Sequence, residues 1–296
     1  MGCITTLKRA AVVALVALLA ACQTAQGPTT ASAPATATPA VQSAAPPVIN
    51  YAPASAVERG FSALVIDAST GAELYAVEAD APRYPASLSK MMTLYLLFEA
   101  VSEGRYSLSS PLTVSAKAAG EPPAKIGLKA GSTITVEQAA RALAVKSAND
   151  VAIVVAENLA GSEAAFARQM TAQARALGLS RTRFVNATGL PDTAQVTSAR
   201  DMAKLGLALK SSFPQYGSYY RAKTFSYNGR TFRATNNLVG KVAGVDGLKT
   251  GYIRMSGYNL VATANRGGKR LIVVVMGGQS EAARDKEVTR LIEAYS

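Results

Sequence analysis

Ser87 and Lys90 stand three residues apart where a long apolar run, Leu94, Leu96, Leu97 and Phe98, begins. Positions i and i+3 share one face of a helix, so this spacing brings a serine hydroxyl and a lysine amine close enough to share a proton. A helix start also offers unpaired backbone N–H groups and the positive end of the helix dipole, where negative charge can develop. The pattern predicts Ser87 as a nucleophile and Lys90 as its base. Composition sharpens that reading. The 296-residue chain has no histidine, and its two cysteines, Cys3 and Cys22, fall within the first 22 residues. Ser-His-Asp and Cys-His catalysis and the usual His/Cys zinc sites are therefore excluded. Covalent chemistry here requires Ser or Thr as nucleophile and a carboxylate or amine as base; no metal and no cofactor is expected.

Two further polar clusters follow in the chain, Ser147-Ala148-Asn149 and Lys249-Thr250-Gly251. Each motif has an ordinary structural explanation when taken alone. A chain of this length holds roughly one Ser-x-x-Lys by chance, and Ser87 and Lys90 would also suit a helix cap and a solvated first turn. Ser147 and Asn149 fall at a joint between two helical patterns, where Ser and Asn are common caps. A rival Ser-x-Asn, Ser226-Tyr227-Asn228, runs into Asn228-Gly229, a hairpin turn that explains itself. Lys249 and Gly251 lie on a predicted strand, where a lysine and a glycine pack poorly; a glycine there often marks close approach by a ligand or another backbone. Together, and in this order, the three motifs predict one site.

The elements that must bring them together can be read from periodicity. Residues 61–67 and 73–77 read as strands joined by the turn Ser69-Thr70-Gly71, and the Ser87 helix follows. Thr135 and Gln138 form a predicted capping box for a helix over 136–145. Further helices are predicted over 151–159, 162–177 and 198–209. Beyond Phe213-Pro214 the pattern changes to strands over 219–227, 231–234, 247–252, 258–264 and 270–276, with a last helix over 281–295. Strands at both ends with helices between predict one α+β domain whose N- and C-terminal strands share an antiparallel sheet.

The chain resembles the penicillin-binding proteins of the D-alanyl-D-alanine carboxypeptidase type. The motif set is a signature of such proteins and of class A β-lactamases. The likeness extends to the blocks Pro85-Ala86-Ser87-Leu88-Ser89-Lys90-Met91-Met92-Thr93, Phe184-Val185-Asn186-Ala187-Thr188-Gly189-Leu190-Pro191-Asp192 and Val245-Asp246-Gly247-Leu248-Lys249-Thr250-Gly251. It implies a β-lactamase/serine transpeptidase-like fold, an antiparallel sheet beside a helical lobe with the site in the cleft between. By the resemblance, Ser87 is acylated and Lys90 is its base. Ser147 relays a proton to the leaving amine, Asn149 holds the substrate peptide, and Lys249 and Thr250, followed by Gly251, bind its terminal carboxylate. Backbone N–H groups of Ser87 and Tyr252 form the oxyanion hole. Tyr252 stands where the family often has histidine, which bears on substrate preference or rate. No Glu-x-x-Leu-Asn block is found, so penicillin is expected to acylate Ser87 and leave slowly. The implied activity is removal of the terminal D-Ala from peptidoglycan stem peptides, with β-lactams as covalent inhibitors. The alternatives are a D,D-endopeptidase cutting cross-links, a β-lactamase, or an inactive peptidoglycan-binding lipoprotein of the same fold.

Residues 1–22 read as an export signal, with Lys8-Arg9 ahead of an apolar stretch too short to span a bilayer comfortably. Leu19-Ala20-Ala21-Cys22 resembles a lipobox, predicting a lipid on Cys22, export to the cell envelope and, in a cell with two membranes, anchoring in the outer one. Residues 23–55, rich in Ala, Pro and Thr, read as an unfolded spacer, and 56–296 as the catalytic domain. The second β-domain and C-terminal amphipathic anchor of many relatives are not expected, with the lipid at Cys22 in the anchor's place. The formal net charge is +12, which suits an anionic polymer or membrane. No basic run and few aromatics accompany it, so nucleic acid is not expected as a partner.

Overall fold

The computed structural model describes residues 57–296. The signal expected over 1–22, its Cys22 and the linker expected over 23–55 lie outside the described residues. The chain opens with strands β1 (Ser62–Asp67) and β2 (Glu73–Val77), then a 3-10 turn (Ala86–Ser89) that runs into α1 (Lys90–Ser102). A helical lobe follows: β3 (Pro111–Thr113), α2 (Ala116–Gly120), β4 (Thr133–Thr135), α3 (Val136–Val145), α4 (Asn149–Ala160), α5 (Glu163–Ala176), α6 (Ala199–Ser212) and α7 (Gly217–Arg221). The chain then forms β5 (Thr224–Tyr227), β6 (Arg230–Arg233), β7 (Val245–Ile253), β8 (Gly257–Arg266), β9 (Lys269–Gly278) and α8 (Glu281–Tyr295).

The main sheet has the order β2-β1-β9-β8-β7 and is antiparallel throughout. The expected sharing of one sheet by N- and C-terminal strands is thus met, with β1 zipped to β9 from Ser62↔Met276 to Asp67↔Leu271. Side chains alternate across a strand, and both faces here are covered. Ala63, Val65, Val273 and Val275 pack with Val288, Leu291 and Ile292 of α8. Leu64, Ile66, Ile272, Val274 and Met276 belong to the larger core shared with the helical lobe. That double burial explains the unbroken apolar run Leu271–Met276, which strand alternation alone would not produce.

α1 is buried on nearly every side, from Lys90 through Phe98, and is the central helix of the lobe. Its Phe98 ring stacks on Tyr216 at 4.1 Å between centroids, and Tyr216 stacks on Tyr219 at 5.6 Å. This packing corrects one expectation. The strand predicted over 219–227 is helical at α7 and extended only from Thr224, because burying Tyr219 and Tyr220 against the lobe outweighs the strand preference of tyrosine. β5 and β6 then pair as a separate two-stranded hairpin. β3, α2 and β4 were not anticipated, being too short to show a period. The Thr135–Gln138 capping box is formed on both sides, and α4 begins at Asn149, two residues earlier than expected. Among the described residues no helix is long and apolar enough to cross a membrane.

Candidate active site

Ser87 does not sit on α1 but on the 3-10 turn before it, and Lys90 is the first α-helical residue. A 3-10 turn has about 3.0 residues per turn, so i and i+3 nearly eclipse. Lys90 Nζ accordingly lies 3.0 Å from Ser87 Oγ. The preceding residue, Ala86, has φ 50°, a left-handed conformation that a non-glycine residue adopts under constraint. Three neighbours hold the turn in place. Asn259 of β8, wholly buried, donates to the carbonyls of Tyr84 (3.1 Å) and Pro85 (3.2 Å). Gly189 has φ +77°, and a Cβ there would lie 1.9 Å from the Ala86 oxygen. Gly251 of β7 passes so close that a Cβ would be 3.1 Å from both Pro85 O and Ser87 N. The strand glycine of the third motif therefore marks a close backbone approach, and what it approaches is the backbone of the serine turn.

Lys90 is fully buried. Its Nζ lies 2.7 Å from Asn149 Oδ1 and hydrogen-bonds the Thr188 carbonyl. Those two oxygens only accept, whereas the Ser87 hydroxyl can donate or accept. A neutral amine has two N–H groups and one lone pair. Its hydrogens fit Asn149 and Thr188, and its lone pair is left for the proton on Ser87. Burial holds the Lys90 pKa well below its usual 10.5, and the Lys249 charge lowers it further, opposed by Glu121 and Asp150. The neutral state needed of a base is the one this environment favours.

Asn149 departs from expectation. Its Nδ2 donates to the carbonyls of Pro122 (2.9 Å) and Pro123 (2.6 Å), and its Oδ1 is taken by Lys90. Two carbonyls against Nδ2 fix the amide's orientation. The side chain is thus engaged within the protein and orients Lys90 rather than reaching into the cleft for a substrate peptide. The loop carrying those prolines is tied down by Asp150, whose buried carboxylate accepts N–H bonds from Ile126, Gly127 and Leu128.

Ser147 has φ 61° and lines a cleft of about 300 Å³ together with Ser87, Thr235, Thr250, Tyr252 and Arg284. Its hydroxyl is buried without a hydrogen-bond partner, a state that costs about 1–3 kcal/mol. Thr250 Oγ1 donates to Thr235 Oγ1 at 2.7 Å. Lys249 is 1% exposed, donates to the Thr250 carbonyl at 2.8 Å, and has its pKa lowered by burial, then by Arg284, to about 7. It lies beneath the cleft wall; Thr250 and Arg284 form that wall. Tyr252, on the edge strand, is 52% exposed, and its ring lies against Tyr258 at 4.3 Å. Residues of all three motifs thus meet at one cleft.

Arg284 of α8 was missed in the sequence. It is 3% exposed, bonded to Asp285 at 2.6 Å, and faces the cleft. It stands in no motif, and only the packing of α8 on the sheet brings it there. A second cavity of about 310 Å³ lies against α6 and α7 and contains the Lys210–Asp246 ion pair, but no paired nucleophile and base.

The sequence model of the D-alanyl-D-alanine carboxypeptidase family matches residues 50–280. D-alanyl-D-alanine carboxypeptidase DacA of Escherichia coli is 39% identical over 238 residues, or 78% of this chain and 59% of that protein. The chain therefore spans less than two thirds of that relative's length. Penicillin binding protein 5 from Haemophilus influenzae superposes with a TM-score of 0.76 at 34% identity, covering 79% of this chain and 69% of the other. Penicillin-Binding Protein D2 from Listeria monocytogenes, solved in an ampicillin-bound form, gives 0.69 at 32% identity, with 82% and 98% covered. The fold is that of the serine β-lactamases and D,D-transpeptidases. With the family match running across most of its length and the motifs behind the resemblance gathered at one cleft, the chain belongs to the D-alanyl-D-alanine carboxypeptidase family.

Proposed function

We propose that the protein is a serine D-alanyl-D-alanine carboxypeptidase that removes the terminal D-Ala of peptidoglycan stem peptides through an acyl-enzyme on Ser87. The observation that carries this reading is the fully buried Lys90 amine, 3.0 Å from Ser87 Oγ and depressed in pKa. Lys90 takes the Ser87 proton as Oγ attacks the scissile carbonyl. The backbone N–H groups of Ser87 and Tyr252 receive the oxyanion, and a preorganised donor of this kind is worth about 3 kcal/mol. Ser147, with its hydroxyl unpartnered, carries the proton to the departing D-Ala amine. Water then attacks the ester, with Lys90 as base again. The substrate's terminal carboxylate meets Thr250 and Arg284 at the wall of the cleft, with Gly251 leaving room and Lys249 supplying positive charge from beneath. Asn149 serves by holding Lys90. β-Lactams enter the same path and leave slowly.

The catalytic domain is assigned to 56–296, the preceding 23–55 to a spacer, and 1–22 to a signal. The motif Leu19-Ala20-Ala21-Cys22 supports a lipid on Cys22 and tethering at the envelope. Release of D-Ala from a soluble pentapeptide and labelling by a fluorescent penicillin test the activity. Ser87→Ala abolishes both, and an undiminished turnover in that variant overturns the assignment. A cross-linked dimer peptide as substrate separates carboxypeptidase from endopeptidase action.

A further inference from the structure

Folding gathers cations that the linear sequence keeps apart. Segments 122–129 and 223–241 contain Lys125, Lys129, Lys223, Arg230, Arg233 and Lys241 and not one carboxylate. All six are exposed. The two segments meet where Arg230 Nη1, from the β5–β6 hairpin, donates to the Ile126 carbonyl at 3.4 Å. Lys223 starts the hairpin, and the Ala234 N–H that follows β6 donates to its carbonyl at 2.9 Å. Its ammonium lies against Gly240, where a Cβ would be 2.5 Å away, next to Lys241. Ala124 and Ala234, the neighbours of Lys125 and Arg233, line the same cleft as Ser87, as does Lys146. Lys125 and Arg233 therefore flank the cleft, and Arg230, Lys223 and Lys241 extend this rim of cations along the same two segments. Nearby acids do not neutralise them. Glu121, just before the first segment, interacts with Glu163 and Lys117, Glu137 is paired with Arg141, Glu281 accepts from Asn237, and Asp150 is buried under the 126–128 backbone.

We propose that this rim docks the free carboxylates of stem peptides adjacent to the one in the cleft, so that the protein recognises the peptidoglycan polymer and not only a single peptide end. This rests on the function proposed above. A single exposed charge pair is weak and is screened beyond about 10 Å at 0.1 M salt. A row of unpaired cations facing a polymer with repeated anions adds many weak contacts on one tether, which raises local concentration without any strong single bond. Hairpin and loop present the rim next to the nucleophile, so a docked strand is delivered to it.

The test is sedimentation of the protein with insoluble peptidoglycan, native or with its carboxylates amidated by carbodiimide, in low and high salt. The triple variant K125Q/R233Q/K241Q is carried in parallel. The expected result is retention on native polymer that falls about tenfold in the variant, on amidated polymer, and in about 1 M salt, where screening acts within ~3 Å. Fluorescent-penicillin labelling of the variant and its kcat/KM on a soluble pentapeptide stay within twofold of the parent. Equal retention of variant and parent, or equal retention on amidated and native polymer, overturns the proposal. So does a failure of the parent to sediment. The amidated arm needs no variant and so does not depend on the variant's folding. Absence of D-Ala release from the soluble pentapeptide by the parent is a separate result, and refutes the catalytic reading instead.

Discussion

Replacing Lys90 by methionine tests the base directly. The substitution keeps a long apolar side chain, removes the amine, and leaves Asn149 Oδ1 and the Thr188 carbonyl without their shared donor. Each unpaired buried acceptor costs about 1–3 kcal/mol, partly offset because no amine is held out of water. The stability change is therefore modest, while Ser87 Oγ loses the amine that lies 3.0 Å from it. General-base transfer contributes about 10²–10⁴ in rate, so acylation by a fluorescent penicillin falls by about 10³, equivalent to ~4 kcal/mol in the barrier. The parent enzyme's pH profile supplies the second half of the argument. The base works unprotonated, so the rate rises with pH through the folded pKa and is then flat. An ordinary amine at 10.5 would give a roughly thousandfold rise between pH 7.5 and 10.5, three pH units at tenfold each. With Lys90 held well below 10.5, no such rise occurs, and the loss of the Lys249 charge above about 7 turns the profile downward instead. Stopped-flow labelling across pH, with thermal denaturation as the folding control, measures both. A Lys90→Met variant that acylates within tenfold of the parent, or a parent rate still climbing tenfold per unit at pH 10, refutes the assignment.

Gly251→Ala places a methyl 3.1 Å from Pro85 O and Ser87 N; overpacking of this kind costs about 1–3 kcal/mol, and displacement of the serine turn lowers acylation about 10²-fold. Labelling kinetics with an unchanged far-UV spectrum distinguish this from unfolding. Lys249→Met raises stability while weakening binding of carboxylate-bearing substrates. The folded pKa of about 7 lies below the ordinary lysine value of 10.5, so between them unfolding takes up a proton and the parent's stability rises with pH. At pH 7.5 the deficit is roughly 4 kcal/mol, and urea titrations at pH 7.5 and 10 show the variant's advantage shrinking. Asp150→Asn turns an acceptor of three loop N–H groups into a group that also carries donors. The expected loss is about 3 kcal/mol, with faster amide exchange at 126–128 as its local signature.

Much of this was legible in the sequence because it is written in periods and side-chain types. The apolar run of β1 and the helical periodicity marked the elements of both layers, and the three polar motifs together, in a chain without histidine, marked the chemistry. The unread parts depend on backbone or on distant packing. The Thr188 carbonyl that shares Lys90 carries no residue identity, so no pattern announces it. Arg284 reaches the cleft only because α8 crosses the sheet. The engagement of Asn149 by Pro122 and Pro123 depends on a loop shaped by Asp150, and no local rule ties those segments together. Tyr219 and Tyr220 misled because their strand preference is weaker than the aromatic packing that makes them helical.

The site collects features that oppose folding: two fully buried lysines, an unpartnered Ser147 hydroxyl, and left-handed backbone at Ala86 and Ser147. Such features persist only where the surroundings over-determine them, and here each is clamped from a different layer. The sheet holds the serine turn through Asn259 and Gly251, while the lobe holds the amine through Asn149. Neither layer alone completes the pair. The same division couples recognition to base strength. In the proposed mechanism a carboxylate arriving at Thr250 and Arg284 favours the charged form of Lys249, and that charge adds to the burial that lowers Lys90, while the anion's own field opposes it. Recognition of the terminal anion and the state of the base therefore meet at Lys249, whose charge answers to the one and bears on the other.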